Sequence, residues 1–514
     1  MKASSGPDIA CRGRCGRVAG VVLAAALASS FGSTAVAAVT SGTIASIDAA
    51  TRTLEVALKD GRSSTFAVPQ EAKVLAVGKP VELDALVEGQ PVSISVDKDD
   101  VVTTVRAGKP PARKVAPRRP AAGPPATGWH QYGGLHRDGR SSDTGLAASW
   151  PEAGPRLLGT AKNLGTGYSS VSVGGGRILT MGGRGDDECV ICLDDTSLAE
   201  RWVTRIGRTR PDGMGAGPRG TPTIDDDRVY ALGANGDLAC LAIDDGRVLW
   251  GGNILDAFNA KNITWGVSES PLVDGERVIV TPGGPGAAIV ALDKRTGKPA
   301  WKAAVPGNPQ TGYSSCIVIE TGGVRQYVNF LHTGVVGVRA DNGQVLWGNA
   351  ASANGTANCS SPLEWRGHVF SASGYGTGGA LVKLSGGRTG VTAALVYQTK
   401  DMKSHHGGMV IDGDHLYGTD EGVLKCLDVA TGRVLWADRS VGKGSVAYAD
   451  GSVILRGEEG SVALVEATPK SYVERGRFMP VNRSERPAWP HPVVTGGRLY
   501  LRDQDSLAVY GLAP

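Results

Sequence analysis

The chain has 514 residues, 54 Lys plus Arg against 50 Asp plus Glu, 74 glycines and only 6 phenylalanines. Its formal net charge of +4 is local: the first twenty residues carry +3 and residues 107–127 carry +5, leaving −4 on the remainder. That distribution excludes a basic nucleic-acid groove, and the length predicts more than one domain.

In chain order, the first element is an export signal. Arg12, Arg14 and Arg17 precede an apolar, Ala-rich run, and Ala35-Val36-Ala37 offers a small-x-small cleavage site. Residues 1–37 therefore read as a secretory signal peptide. Cys11 and Cys15 lie ahead of the apolar run, where a lipid-anchor cysteine does not sit. The mature chain is expected to be soluble, monomeric and exported to the periplasm or cell envelope. No later stretch is apolar for long enough to cross a bilayer.

Residues 39–107 alternate apolar and polar positions between turn signals, as in "GTIASIDAATRTLEVALKDGRSSTFAV" and "GQPVSISVDKDDVVTTVRA". They show no helical period and predict a small β-barrel-like domain of five or six strands. Residues 108–127 follow as a Pro-rich basic linker. With the two residues before position 109 included, the stretch holds six prolines, five basic residues and no acid. Such a spacer is extended and self-repelling; it is either merely solvated or grazes an anionic envelope surface.

From residue 128 onward the chain repeats itself. "CLDDTSLAERW" (192–202), "CLAIDDGRVLW" (240–250), "ALDKRTGKPAW" (291–301), "GVRADNGQVLW" (337–347) and "CLDVATGRVLW" (426–436) share one template. Period-two alternation marks strands with a buried face. In four of the five copies a polar-Gly pair before the Trp, such as Asp245-Gly246 or Thr431-Gly432, supplies the positive φ of a tight hairpin. A further strand pair precedes each copy, so each repeat has four strands and reads as a propeller blade. Second strands fall near Leu179, Tyr230, Ile279, Tyr327, Phe370, Tyr417, Ile454 and Tyr500. The fold class is therefore all-β, an eight-bladed β-propeller over 128–514 with a small N-terminal domain. Tyr397 takes the Trp position in the one degenerate copy. The last copy stops after three strands, and residues 155–165 are expected to supply its fourth and close the ring.

Six cysteines follow the signal. Cys192, Cys240 and Cys426 occupy one template position in different blades, too far apart to bond, and are expected to be buried and free. Cys189 and Cys192, three apart on a strand, face opposite sides. Cys316 and Cys359 lie near neighbouring inner strands, and free thiols are favoured there over a bond.

A site belongs at the channel mouth, where each innermost strand begins. Nine residues before each second-strand marker stand Ser170, Thr221, Ser270, Ser361, Gly408, Ser445 and His491, with Ser315 in the fourth blade. Two residues earlier the column reads Tyr168, Arg219, Ser268, Tyr313, Cys359, His406, Lys443 and Trp489. One reading makes these ordinary rim residues bonded between blades. The other makes them a ligand site: Arg219, Lys443 and His406 grip a polar anion, and Tyr168, Tyr313 and Trp489 form stacking walls. Glu269 is expected as the internal counter-charge, and Glu269 with Asn358 could offer oxygens to a hard cation. In "SHHGG" (404–408) adjacent histidines on a strand point oppositely, so one of His405 and His406 is expected in the channel and the other between blades. No metal site is assigned. No Gly-x-Ser-x-Gly, His-Glu-x-x-His or phosphate loop is present.

The template "LDxxTGxxLW" resembles the pyrroloquinoline-quinone-like β-propeller repeat. That repeat is shared by eight-bladed quinoprotein alcohol dehydrogenases and by the propeller subunit of the outer-membrane protein assembly machinery. "WHQYGGLHRDGRSSDTGL", "GYSSVSVGGGRI", "WGVSESPLVDGERVIVTPGG", "HHGGMVIDGDHLYG" and "GRLYLRDQDSLAVY" are similar to exported bacterial propellers of this kind, over about 129–512. The resemblance implies an eight-bladed ring and, in its dehydrogenase branch, pyrroloquinoline quinone with calcium held by Glu, Asn and Asp beneath a disulfide of adjacent cysteines. No adjacent cysteine pair exists here. The reading is therefore an exported envelope scaffold, non-catalytic, that binds an envelope protein or a small-molecule ligand. Its alternative is a periplasmic quinoprotein oxidoreductase.

Overall fold

The computed structural model describes residues 38–48, 51–87, 89–109 and 128–514. The predicted signal peptide, 1–37, and most of the predicted linker, 108–127, lie outside them. Two compact units divide between residues 119 and 120.

The first unit is one sheet built from β1 (Val39–Asp48), β2 (Thr53–Leu58), β3 (Ser63–Ala67), β4 (Lys73–Ala76), β5 (Lys79–Pro80), β6 (Pro91–Val96) and β7 (Val102–Ala107). Their order is β3-β2-β1-β6-β7-β4-β5. Seven strands replace the five or six expected, because β4 and β5 are too short to show alternation. The β4–β7 pair is parallel. Alternate residues such as Leu54, Val56, Ile94 and Val105 form its own core.

The second unit is eight four-stranded antiparallel sheets, and each predicted second strand lies second in its sheet. The first blade comprises Ser172–Gly174, Arg177–Arg184, Asp187–Asp194 and Glu200–Arg208. The eighth takes its fourth strand from β8 (Arg156–Ala161), paired to Ser506–Gly511. This pairing closes the ring and removes the free edge that an open last blade would leave. The apolar cores lie between consecutive blades, one cluster per interface, as where Ile178 and Ile191 of the first blade meet Tyr500 and Val509 of the eighth.

The Trp template now has a mechanism. Trp202, Trp250, Trp301 and Trp436 each donate their indole N–H to a carbonyl of the following blade, at 3.0, 3.0, 3.1 and 2.7 Å. Tyr397 does the same with its hydroxyl, to Val429 at 2.8 Å. The turn glycine of the following blade lies flat on that ring: a Cβ at Gly246 or Gly297 would fall 2.5 or 2.6 Å from Trp202 or Trp250. The glycine thus serves a positive φ and a close approach at once.

Three blades depart from this pattern, and each is compensated. Trp347 bonds Gln326 of its own blade. The seventh blade has Gly476 in the Trp position, opposite Leu464, and Trp150 from outside the ring packs there, its Cβ 2.6 Å from a Cβ built at Gly476. At the closing seam the pair is reversed. Leu198, at φ +60, stands where other blades carry the turn glycine, and it packs on Gly159, which stands where others carry Trp.

Residues 129–150 form a strap across the innermost strands. Trp129 pairs with Val173, and the His130 carbonyl accepts from Ile224 N–H at 2.7 Å. Arg137 donates to Ser270 O at 2.7 Å. Arg140 pairs with Asp412 at 2.9 Å and lies 4.2 Å from the Tyr448 ring centroid. The strap was not anticipated as a structural element. Its glycine-rich sequence has no strand period, and its partners lie far away in the chain.

Candidate functional site

An antiparallel four-stranded blade places the segment before its first strand and the loop after its second at one end. All eight blades therefore contribute to one cavity of about 260 Å³. Tyr168, Arg219, Tyr313, His405, His406, Lys443, Trp489 and His491 all line it. Glu269 does not. Tyr132 reaches the same cavity from the strap.

The two predicted columns prove to have different jobs. Hydroxyls of the first column stitch blades together: Thr221 N–H donates to Ser270 Oγ at 2.8 Å, Ser270 N–H to Ser315 Oγ at 2.9 Å, and Ser315 N–H to Ser361 Oγ at 3.1 Å. Ser170 Oγ donates to His491 O at 2.7 Å across the seam. The second column faces the cavity.

Its charges are compensated within the wall, which corrects the expectation that Arg219 and Lys443 await an anion. Arg219 lies 3.3 Å from Asp212, donates to the carbonyls of Gly215 and Gly217, and sits 5.5 Å from the Tyr168 ring centroid. Burial lowers its pKa, and Asp212 opposes that effect. Lys443 lies 2.7 Å from Glu458. Glu458 also accepts from Trp489 Nε1 at 2.7 Å and faces His406 Nε2 at 3.4 Å. Burial pushes the Glu458 carboxyl up, but these three donors outweigh it and hold the group down at about 2. The counter-charges are Asp212 and Glu458, not Glu269.

Both histidines of "SHHGG" line the cavity, against the expectation that they diverge. Residues 405–406 form a bend rather than a strand, with Gly407 N–H donating to Ser404 Oγ at 3.3 Å, so period two does not apply. His405 packs at a tilt against Tyr375, 4.7 Å between ring centroids, and burial lowers its pKa. The His406 side chain is 7% exposed and its Nδ1 is buried without a partner. His491 donates Nε2–H to His406 O at 2.9 Å, and burial takes its pKa down to about 4. Aromatic pairs complete the wall: Tyr168–Trp489 at 4.5 Å and Trp265–Tyr313 at 5.5 Å. The Tyr168 hydroxyl donates to Met214 O at 2.6 Å.

Glu269 and Asn358 do not fit a calcium ion. The Glu269 oxygens accept from Thr281 N–H at 2.6 Å and Thr281 Oγ1 at 2.8 Å, and Glu269 is fully buried. Burial pushes its carboxyl up to about 7. Asn358 Oδ1 accepts from Asn354 N–H at 3.0 Å, and its amide donates to Leu331 O and His332 O. A cation demanding six to eight oxygens finds neither group free. Among the described residues no cluster of three or more His, Cys, Asp or Glu could hold a metal, and the six cysteines are free. Cys189 and Cys192 sit in different interface cores, as their spacing requires. No helix of the described residues is long and apolar enough to cross a membrane.

The family model of the outer membrane protein assembly factor BamB matches residues 153–253, 186–438 and 420–513. Among solved structures, BamB from Moraxella catarrhalis is similar at 14% identity and a TM-score of 0.50, covering 69% of this chain and 97% of that one. Quinohemoprotein alcohol dehydrogenase from Comamonas testosteroni is similar at 13% identity and a TM-score of 0.53, covering 77% and 82%. A quinohemoprotein alcohol dehydrogenase from Pseudomonas putida HK5 gives 13%, 0.52, 77% and 81%. At such identities the likeness is one of fold. No curated protein sequence gives a significant match.

Proposed function

This chain belongs to the outer membrane protein assembly factor BamB family, and from that premise we propose that it is an exported, non-catalytic binding scaffold of the cell envelope. The mouth of its ring is the binding site. One observation carries the reading: side chains from all eight blades converge on a cavity whose cations already hold their own carboxylates. Such a site is organised for recognition. The expected partner is an envelope protein or a small-molecule ligand, and the family's assembly-factor members make a protein partner the natural comparison.

The second reading, a periplasmic quinoprotein oxidoreductase, has the fold of the two dehydrogenases in its favour. The commitments of Glu269 and Asn358, and the lack of adjacent cysteines, speak for the scaffold. Purified protein mixed with pyrroloquinoline quinone and calcium tests the choice, through its absorbance spectrum and dye-linked alcohol oxidation. We expect neither stoichiometric binding nor turnover. Tight stoichiometric binding accompanied by turnover would overturn the scaffold reading.

A further inference from the structure

The wall of the mouth restricts what it can hold. An anion finds Arg219 spent on Asp212, Gly215 and Gly217 and Lys443 closed on Glu458. A cation meets Arg219 and Lys443 themselves, so an aromatic cage for ammonium groups is not what these rings make. Left for a ligand are flat aromatic faces and neutral dipolar groups. The Ser268 hydroxyl, which donates to Gly266 O at 3.2 Å and keeps its lone pairs to accept, is among them, and so is His406 Nδ1, buried and without a partner.

The faces stand on opposite sides of the ring. Tyr168 and Trp489 pack at a tilt of 40° at the seam of blades eight and one. On the far side Tyr375, from the loop after the second strand of blade five, packs at a tilt of 57° against His405 of the neighbouring sixth blade. Tyr375 is the odd residue of the set. Its φ is +54, a left-handed conformation that is costly for a bulky side chain. The residue is 50% exposed, so core packing does not demand a tyrosine there. An exposed aromatic held in that conformation on the cavity rim is a candidate recognition residue.

We propose that the mouth binds one neutral sugar ring of a glycan, held between Tyr375 and Trp489. A pyranose presents C–H faces that carry partial positive charge to the negative π-faces of aromatic rings. Its hydroxyls donate and accept, and so match neutral dipoles and internally paired charges better than any ion does. A cavity of about 260 Å³ lies just below the roughly 300–1,000 Å³ that drug-sized ligands occupy, which suits a single ring. The inference rests on the mouth being a ligand site, as proposed above.

The test probes an array of neutral and acidic glycans with the full chain and with Tyr375→Gly. Glycine accepts the positive φ, so the variant should keep or raise its Tm and remain a folded control. The expected result is retention of at least one neutral glycan, weakened about tenfold in Tyr375→Gly by loss of one stacked face. Retention of acidic glycans alone, of no glycan, or equally by both proteins overturns the proposal. Calorimetric titrations with citrate and with tetramethylammonium separate the two levels of inference. Binding of either probe that Tyr375→Gly weakens would reject the sugar while leaving the mouth a ligand site.

Discussion

Three donors reach Glu458 from three blades: His406 from the sixth, Lys443 from its own seventh and Trp489 from the eighth. Because they hold its carboxyl at about 2, below the ordinary value, the group stabilises the fold above its unfolded pKa. That contribution disappears as pH falls toward 2. Glu458→Gln should therefore cost about 1–2 kcal/mol at pH 7, a figure reduced for the open side of the cavity. In urea unfolding series the gap to the native chain should close between pH 4.5 and 2. A gap that stays constant over that range would mean geometry, not charge, is lost. The mouth is only half legible in sequence. Aligning the segments before each first strand finds Tyr168, Arg219, Tyr313, His406, Lys443 and Trp489, since those offsets are constant. It passes over Glu458 and Tyr375, which lie in loops after second strands. The signal was present as short polar loops between glycines, "GYG" and "GEEG", and antiparallel geometry brings those loops to the same end. Glu269 misled because it is one residue from the column, yet its carboxylate turns inward onto Thr281 instead of facing the cavity.

The blade interface is governed by a glycine lying on an indole, and this can be separated from turn conformation. Gly297 has φ +71, and a Cβ there would fall 2.6 Å from Trp250. Gly275 has φ +60 with nothing within 4 Å. Gly275→Ala should cost only the left-handed backbone term, about 1–2 kcal/mol. Gly297→Ala should add an overpacking cost of about 1–3 kcal/mol, so the two midpoints in denaturant should differ clearly. Equal losses would show that the turn, not the ring contact, selects glycine. Sequence displays the glycine and the Trp as one hairpin motif, four residues apart. Their physical partnership runs between blades, glycine to the preceding Trp, and single-repeat reading cannot reveal it. The blade count was legible for the same reason the partnership was not: every copy repeats locally, whereas the contact links copies.

At the scale of the whole ring, the seam is where the repeat must accommodate a chain that starts and ends. Blade eight borrows β8 from the beginning of the propeller, and its hairpin partner therefore arrives without the usual template. The structure meets this with a swap, Leu198 for the turn glycine and Gly159 for the Trp. Meanwhile Arg498 donates at 2.8 Å to the Asp195 carbonyl, the position whose counterparts elsewhere accept from indole nitrogens. Buried Arg502 ties the same seam, donating to the carbonyls of Leu164 and Gly165 at 3.1 and 3.2 Å. If Leu198 and Gly159 are two halves of one packing solution, each alone should fail when converted to the common pattern. Gly159→Trp puts an indole where the Leu198 side chain already lies, 2.9 Å from the Cβ position. Leu198→Gly relieves a positive φ but opens a void at the seam. Each single variant should lose about 1–3 kcal/mol. The double variant should recover most of it, with a coupling of at least about 1 kcal/mol in a double-mutant cycle. Additive losses would refute the exchange and leave Leu198 at φ +60 without a packing reason.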